Sequence, residues 1–358
     1  MLRDQDSPVT RRRAFSSLAG SLLIGCSRFD VKPSIEFTRI PPADQGGPEI
    51  VDTIEGRVKG AQPGDRLVLF ARSEGWWVQP EPERPYTILN SDSTWRSPTH
   101  LGTEYAAALV KPDYRPPHRA DDLPHEGGNV IVVAKVPGDS SKRAVRTLVR
   151  FAGYEWTVRA SSSDRGGKND YDISNVWTDQ AGALHLRIAN VPNDPGKWTC
   201  AQVLLKRSLG YGTYRFVVRD ISQLDPAAVL ALYVWDAAKA ADQSPREWDI
   251  EFSRWSDPAS KNSRYVIQPS HVRDHVVRFE SPAGTLSHSI RWEPGKAAFR
   301  TVRGSSPNGR LLYEHTFTSG VPLPANEKLR LNFYDFQRGS KPLEKPAEVV
   351  IDHFEFLP

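Results

Sequence analysis

Cysteine and methionine are nearly missing from this chain of 358 residues, which contains two Cys and one Met. The cysteines are Cys26 and Cys200, and Cys26 belongs to an N-terminal leader described below. Cys200 is then left alone, so the mature chain cannot form an internal disulfide even in a compartment that would allow one. We therefore expect Cys200 to be a small buried residue and not a nucleophile.

Long hydrophobic runs and an excess of one charge are also lacking. The apolar run at residues 18–24 is too short to span a bilayer. The net charge is +4, of which the first 25 residues, with four Arg and two Asp, supply half. No basic stripe interleaved with aromatic residues follows, which argues against a nucleic-acid partner. His271, His275 and His288 lack the spacing of a metal site, so we expect no cofactor, although a structural calcium ion is left open.

The N-terminus reads as a targeting segment. Residues 10–15, Thr-Arg-Arg-Arg-Ala-Phe, resemble a twin-arginine export signal, and residues 23–26, Leu-Ile-Gly-Cys, resemble a bacterial lipobox. The resemblance implies a signal peptide at 1–25, a lipid on Cys26, a tether at 26–33 and anchoring of an exported protein in the bacterial cell envelope. An ordinary signal peptide cut elsewhere is the alternative.

Proline and glycine are plentiful, with 29 and 25 residues, and short alternating segments dominate, so we predict an all-β chain. Residues 34–140 read as an Ig-like β-sandwich, 141–150 as a linker and 151–358 as a second β-sandwich. We expect most of Trp76, Trp77 and Trp95 to be core residues, although one of the adjacent pair could face a sugar.

The second part is organised around residues 246–252, Arg-Glu-Trp-Asp-Ile-Glu-Phe. A strand sends alternate side chains to opposite faces. As a strand, this segment places Glu247, Asp249 and Glu251 on one face and its three bulky apolar side chains on the other. We predict that the apolar face lies in a core and that the acidic face lines a groove.

Three carboxylates on one face repel each other, and crowding raises at least one pKa. Retaining glycoside hydrolysis needs such a set, with one ionised nucleophile and one protonated donor about 5–5.5 Å apart. Alternate strand residues are roughly 6.6 Å apart, so Glu247 and Glu251 must lean inward to bracket one bond. A solvated acidic face on an edge strand and a calcium site are the alternatives.

The motif Glu-Trp-Asp-Ile-Glu-Phe resembles the signature of glycoside hydrolase family 16, and later segments match that family in order over about 200 residues. The resemblance implies a concanavalin-like β-jelly-roll with Glu247 as nucleophile, Asp249 as helper and Glu251 as acid/base. It also implies a polysaccharide substrate and an endo-acting retaining hydrolase, with weak support for a β-glucan backbone. Arg215 departs from the family pattern, which usually has Glu there.

Candidate sugar contacts follow from strand alternation, which puts residues two apart on the same face, and from the same resemblance. Tyr233 and Trp235 share one face of the strand at 229–235, where a place in the core is the alternative, and Trp255 continues the alternation of the acids. Asn262, Arg264 and Gln268 share one face of a later strand and could bond sugar hydroxyls, with plain surface exposure as the alternative. His288 begins a segment that resembles a family motif, and we expect it to line the groove.

Three functions remain open from the sequence. The first is a retaining hydrolase, acting as a monomer. The second is a silent polysaccharide-binding lipoprotein with the same fold. The third is a transglycosylase, which differs only in whether sugar or water accepts the glycosyl group.

Overall fold

The computed structural model describes residues 32–46, 50–80, 84–142, 144, 146–160, 169–191, 194–236, 247–336 and 343–358. The predicted leader and Cys26 lie outside these ranges and stay predictions. In the described parts the chain is built of β-strands, with one 3-10 turn at Ile173–Asn175. The prediction of an all-β chain is confirmed.

The first part forms two antiparallel sheets. One has the order β1-β2-β6, and the other has the order β8-β4-β3-β7-β9 with β5 paired to β3. Their bounds are β1 (Ser34–Arg39), β2 (Val51–Lys59), β3 (Arg66–Arg72), β4 (Trp76–Gln79), β5 (Tyr86–Thr87), β6 (Thr94–His100), β7 (Glu104–Val110), β8 (Arg119–Ala120) and β9 (Val130–Pro137).

Apolar residues from both sheets meet in one core, as the alternation of β2 and β6 predicts. Trp95 is 1% exposed in that core, and Trp76 is buried on the other face of the second sheet. Trp77 is partly exposed, with its indole N–H donating to the carbonyl of Ser73 at 2.8 Å. Two of the three tryptophans are thus core residues, as expected. The Ig-like classification stays a prediction.

The strands of the second part are β10 (Thr147–Phe151), β11 (Tyr154–Val158), β12 (Asp170–Tyr171), β13 (Val176–Thr178), β14 (Leu184–Val191), β15 (Asp194–Leu205), β16 (Gly212–Val218), β17 (Ala228–Trp235), β18 (Glu247–Phe252), β19 (Ser263–Ile267), β20 (Val276–Phe279), β21 (Leu286–Glu293), β22 (Lys296–Arg303), β23 (Leu311–Phe317), β24 (Lys328–Asp335) and β25 (Ala347–Leu357). The change from the first part to the second falls between Pro137 and Thr147, near the predicted linker.

These strands form a two-sheet sandwich. We call the layer β20-β19-β18-β17-β24-β15, extended by β11 and β10, the front sheet. The layer β14-β25-β16-β21-β22-β23, with β13 paired to β14, is the back sheet. The long strand β15 also pairs with β14 and so joins the two layers. β18 lies between β17 and β19, not at an edge.

The core between the two sheets is rich in aromatic residues. The ring of Trp248 packs edge-on against Tyr214 of β16 at 5.0 Å and against Trp292 of β21 at 6.3 Å. Burying rings of this size is the largest apolar contribution a single side chain makes. Cys200 is also fully buried here, and burial raises its thiol pKa to about 12, as expected for a residue that is not a nucleophile.

Two features are absent from the described residues. They contain no helix of the length and apolarity needed to cross a bilayer. They also contain no group of three or more His, Cys, Asp or Glu side chains arranged to hold a metal ion.

Candidate active site

The acidic and apolar side chains of β18 lie on opposite faces of the front sheet. Trp248, Ile250 and Phe252 are fully buried in the core between the sheets. Glu247, Asp249 and Glu251 occupy the alternate positions and therefore the outer face, as strand alternation requires. We call this outer face of the front sheet the acidic face. Because β18 is a central strand, a solvated edge strand no longer explains the acids.

Register places aromatic side chains directly beside the acids. Tyr233 of β17 pairs with Asp249, and Trp235 pairs with Glu247. Directly opposite residues of an antiparallel pair share a face, with Cβ atoms about 4.5–5.5 Å apart. Gln268 follows β19, and its side-chain amide donates to Asp249 at 3.3 Å. The structure thus brings all three predicted side chains to the acids, while their roles toward sugar stay predictions.

The acidic face is more closed than the sequence suggests. Glu247 is 6% exposed, Asp249 2% and Glu251 5%. The two outer carboxyl groups keep slightly more contact with solvent than the middle one. We expected an open groove, and the structure instead shows acids packed among the side chains of neighbouring strands.

The surroundings of Asp249 favour its protonated form. Burial raises its pKa well above the usual range, and the charges of Glu247 and Glu251 raise it further. Asp249 is also hydrogen-bonded to the Glu247 carboxyl, which favours the protonated form, whereas Arg264 opposes the shift. In that form Asp249 donates to Glu247 and holds its side chain in place, and the repulsion among the three acids falls.

The raised pKa gives a prediction for stability. The native state keeps a proton that the unfolded state releases above the ordinary Asp pKa of about 3.9. This contribution is fully present below that pH and is lost as pH rises through the raised pKa. Asp249→Asn should therefore lose less of its free energy of unfolding between pH 5 and pH 8 than wild type, measured by urea titration. Asp113→Asn, at an exposed site, is the control. If the free energy of unfolding of Asp249→Asn changes with pH as steeply as that of the control, the prediction is contradicted.

Glu251 is held by a cation. Arg264 of β19 pairs directly with Glu251 in register, and its Nε donates to a Glu251 carboxylate oxygen. The side chains are 16% and 7% exposed, so this ion pair is largely buried. The alternation of β19 predicts Arg264 as a contact to sugar hydroxyls, and the structure instead makes it the partner of an acid.

Trp255 reaches the acidic face by another route than predicted. Its parity was read as a continuation of β18, but the strand ends at Phe252. Trp255 and Ser256 adopt φ of 49° and 62°, the left-handed region of a turn. The turn still brings the Trp255 ring against Arg264, with the guanidinium carbon 4.2 Å from the ring centre.

His288 does not lie on the acidic face, and its expected contact with sugar is corrected. It belongs to β21 of the back sheet, is fully buried and packs edge-on against Phe252 at 4.6 Å. Burial lowers its pKa to about 3, so it is neutral, and its Nδ1 lies 2.8 Å from the Thr301 hydroxyl. Arg215 is also far from the acids in the fold, since it pairs with Glu355 at 2.6 Å on the back sheet.

Several polar neighbours of the acidic face were missed from the sequence. Arg330 of β24 pairs with Tyr233 in register, and its guanidinium lies 5.0 Å from the ring centre of Trp235. Gln202 of β15 donates to the Tyr233 hydroxyl at 3.1 Å. Burial and the charge of Glu251 raise the pKa of Tyr334 well above its usual range. Alternation of Arg330, Asn332 and Tyr334 with apolar residues along β24 was a signal that could have found them.

The described geometry defines a class: an all-β chain whose second sandwich carries three buried carboxyl groups on one strand face, beside aromatic rings. No protein-family model matches the chain, and no curated protein matches it.

Solved structures with a similar fold include a β-glucanase from Bacillus licheniformis, with 17% identity and a TM-score of 0.46 over 61% of this chain and 100% of that one. A β-1,3-glucanase from Mycobacterium marinum follows, with 16% identity and a TM-score of 0.45 over 58% and 95%. The laminarinase catalytic domain from Thermotoga maritima has 14% identity and a TM-score of 0.40 over 52% and 82%. Similarity this low assigns no activity to this chain, so its function has to be judged from its own residues.

Proposed function

We propose that this chain is an endo-acting retaining glycoside hydrolase on a β-linked polysaccharide, with Glu247 as nucleophile and Glu251 as acid/base. One observation carries the proposal. Asp249 is hydrogen-bonded to Glu247, and burial and the charges of Glu247 and Glu251 raise its pKa, on a strand face that Glu251 shares. A proton on Asp249 then orients the Glu247 carboxylate for attack, which double displacement requires.

The aromatic neighbours support a sugar ligand. Tyr233, Trp235 and Trp255 surround the three acids, and flat aromatic faces pack well against pyranose rings. They also limit the access of water to the carboxyl groups, which favours a carboxylic acid that keeps its proton. A β-glucan is the proposed backbone.

The first experiment is a survey of substrates. Laminarin, lichenan, xyloglucan, agarose and carrageenan are each incubated with the enzyme, and released reducing ends are measured. We expect release from at least one of them, with a rapid fall in polymer length that marks endo cleavage. No release from any of the five contradicts the proposal.

A silent polysaccharide-binding protein is the second candidate, and the structure gives it a specific argument. The proposed acid/base is paired with Arg264, and all three acids are nearly buried. This candidate predicts retardation on glycan-containing gels without any release of reducing ends.

We also propose export and a lipid anchor on Cys26, from the twin-arginine and lipobox patterns of the sequence. Cys26→Ser should then move the full-length chain from the membrane fraction to the soluble fraction of the envelope. Equal partition of wild type and variant contradicts the anchor. Cys200→Ser is the matched control, because Cys200 is buried in the folded chain.

A further inference from the structure

A cluster of positive charge lies on the acidic face beside Glu251. We call Trp255, Arg264 and Arg278 the arginine edge. Arg264 of β19 and Arg278 of β20 are directly opposite in register and so share a face. Their guanidinium carbons lie 4.2 Å and 4.4 Å from the centre of the Trp255 ring. One indole ring therefore fixes two arginines next to each other and next to the acids.

Only one of the two cations has a carboxylate partner among the described residues. Arg264 takes Glu251 as its partner. The Arg278 guanidinium makes one long hydrogen bond, 3.4 Å to the Ser260 hydroxyl, and no carboxylate of the described residues forms an ion pair with it. Glu280, the neighbouring acid, is already paired with Arg254 at 2.7 Å. Arg278 thus has no acidic partner of its own among the described residues.

This arrangement costs free energy unless an anion binds. Like charges directly opposite on neighbouring strands destabilise a sheet. Partial burial and then the charge of Arg264 lower the pKa of Arg278, whereas the charge of Glu251 opposes the shift. Arginine held flat on an aromatic ring is pre-organised to bind a carboxylate or a sulfate through two parallel N–H groups. A neutral sugar ring offers no charge that would offset this cost.

We propose that the arginine edge is a subsite for an anionic group, a carboxylate or a sulfate ester, on the sugar ring next to Glu251. The inference rests on the proposed function for its substrate backbone and makes that substrate a charged polysaccharide. The anion contacts Arg278 first, because Arg278 is exposed. It can then replace Glu251 as the partner of Arg264.

The test compares polymers that differ only in charge. Laminarin, lichenan and agarose are each used in neutral, carboxymethylated and sulfated form. Affinity gels measure binding, and reducing-end release measures kcat and KM. We expect at least one anionic form to bind and react roughly tenfold better than its neutral parent. The carboxymethylated and sulfated arms show which anion the subsite takes, and added NaCl should weaken the preference.

Arg278→Gln should remove this preference by raising KM roughly tenfold for the anionic form only. Arg300→Gln removes the same charge from an exposed position on the back sheet and should change nothing.

Equal behaviour of the two variants, or equal binding of neutral and anionic forms, overturns the subsite. Cleavage of neutral polymer without an anionic preference overturns the subsite alone. Binding of anionic polymer without cleavage supports the subsite and contradicts the hydrolase.

Discussion

Glu247→Gln should lower the release of reducing ends by about a thousandfold or more and leave thermal stability near that of wild type. Glutamine has the shape of glutamate but carries no charge and cannot form the covalent bond to sugar that double displacement needs. Its side chain can still bond to Asp249, so the fold has no reason to fail. Initial rates on the best polymer of the survey measure the effect.

The matched control is Glu314→Gln, an exposed glutamate on β23 of the back sheet. It should keep the full rate. If Glu247→Gln cleaves as fast as the control, Glu247 is not the nucleophile. The stereochemistry of the first product gives an independent check, since a retaining enzyme releases the β-anomer from a β-linked polymer. An α-anomer would show direct attack by water instead.

Strand alternation explains why the sequence was enough to place the acids. A side chain in a strand has only two faces to choose from, so the position of Trp248 fixes that of Glu247 and Asp249. The same rule placed Tyr233 and Trp235 beside them. These residues are next to each other because β17 and β18 follow each other in the chain and pair in the sheet.

Other residues could not be placed, for reasons that lie outside any single strand. The strand that contains His288 was predicted, but alternation alone does not say which face of a strand meets the core. The strand ends at Phe252, and Trp255 and Ser256 lie beyond it with positive φ, a conformation that a non-glycine sequence gives little sign of in advance. Arg278 pairs with Arg264 only because β20 folds back onto β19, so their closeness appears only with the sheet.

The ion pair between Arg264 and Glu251 should be worth more to stability than an exposed pair. Arg264→Gln leaves a carboxylate in a site that is 7% exposed, and removing one partner of a buried pair costs roughly 3–5 kcal/mol. Arg150→Gln, which breaks the exposed pair with Glu155, should cost about 1 kcal/mol or less. Urea unfolding of both variants measures the difference.

The double variant Arg264→Gln with Glu251→Gln decides what the pair does. With both charges gone, no carboxylate is stranded, so most of the lost free energy of unfolding should return. A double variant as unstable as Arg264→Gln alone would mean that Arg264 stabilises the sheet through Trp255 and not through Glu251. If the loss does return, Glu251 exchanges partners only at a considerable cost. An anionic sugar at the arginine edge would lower that cost, because it offers Arg264 another negative charge in place of Glu251.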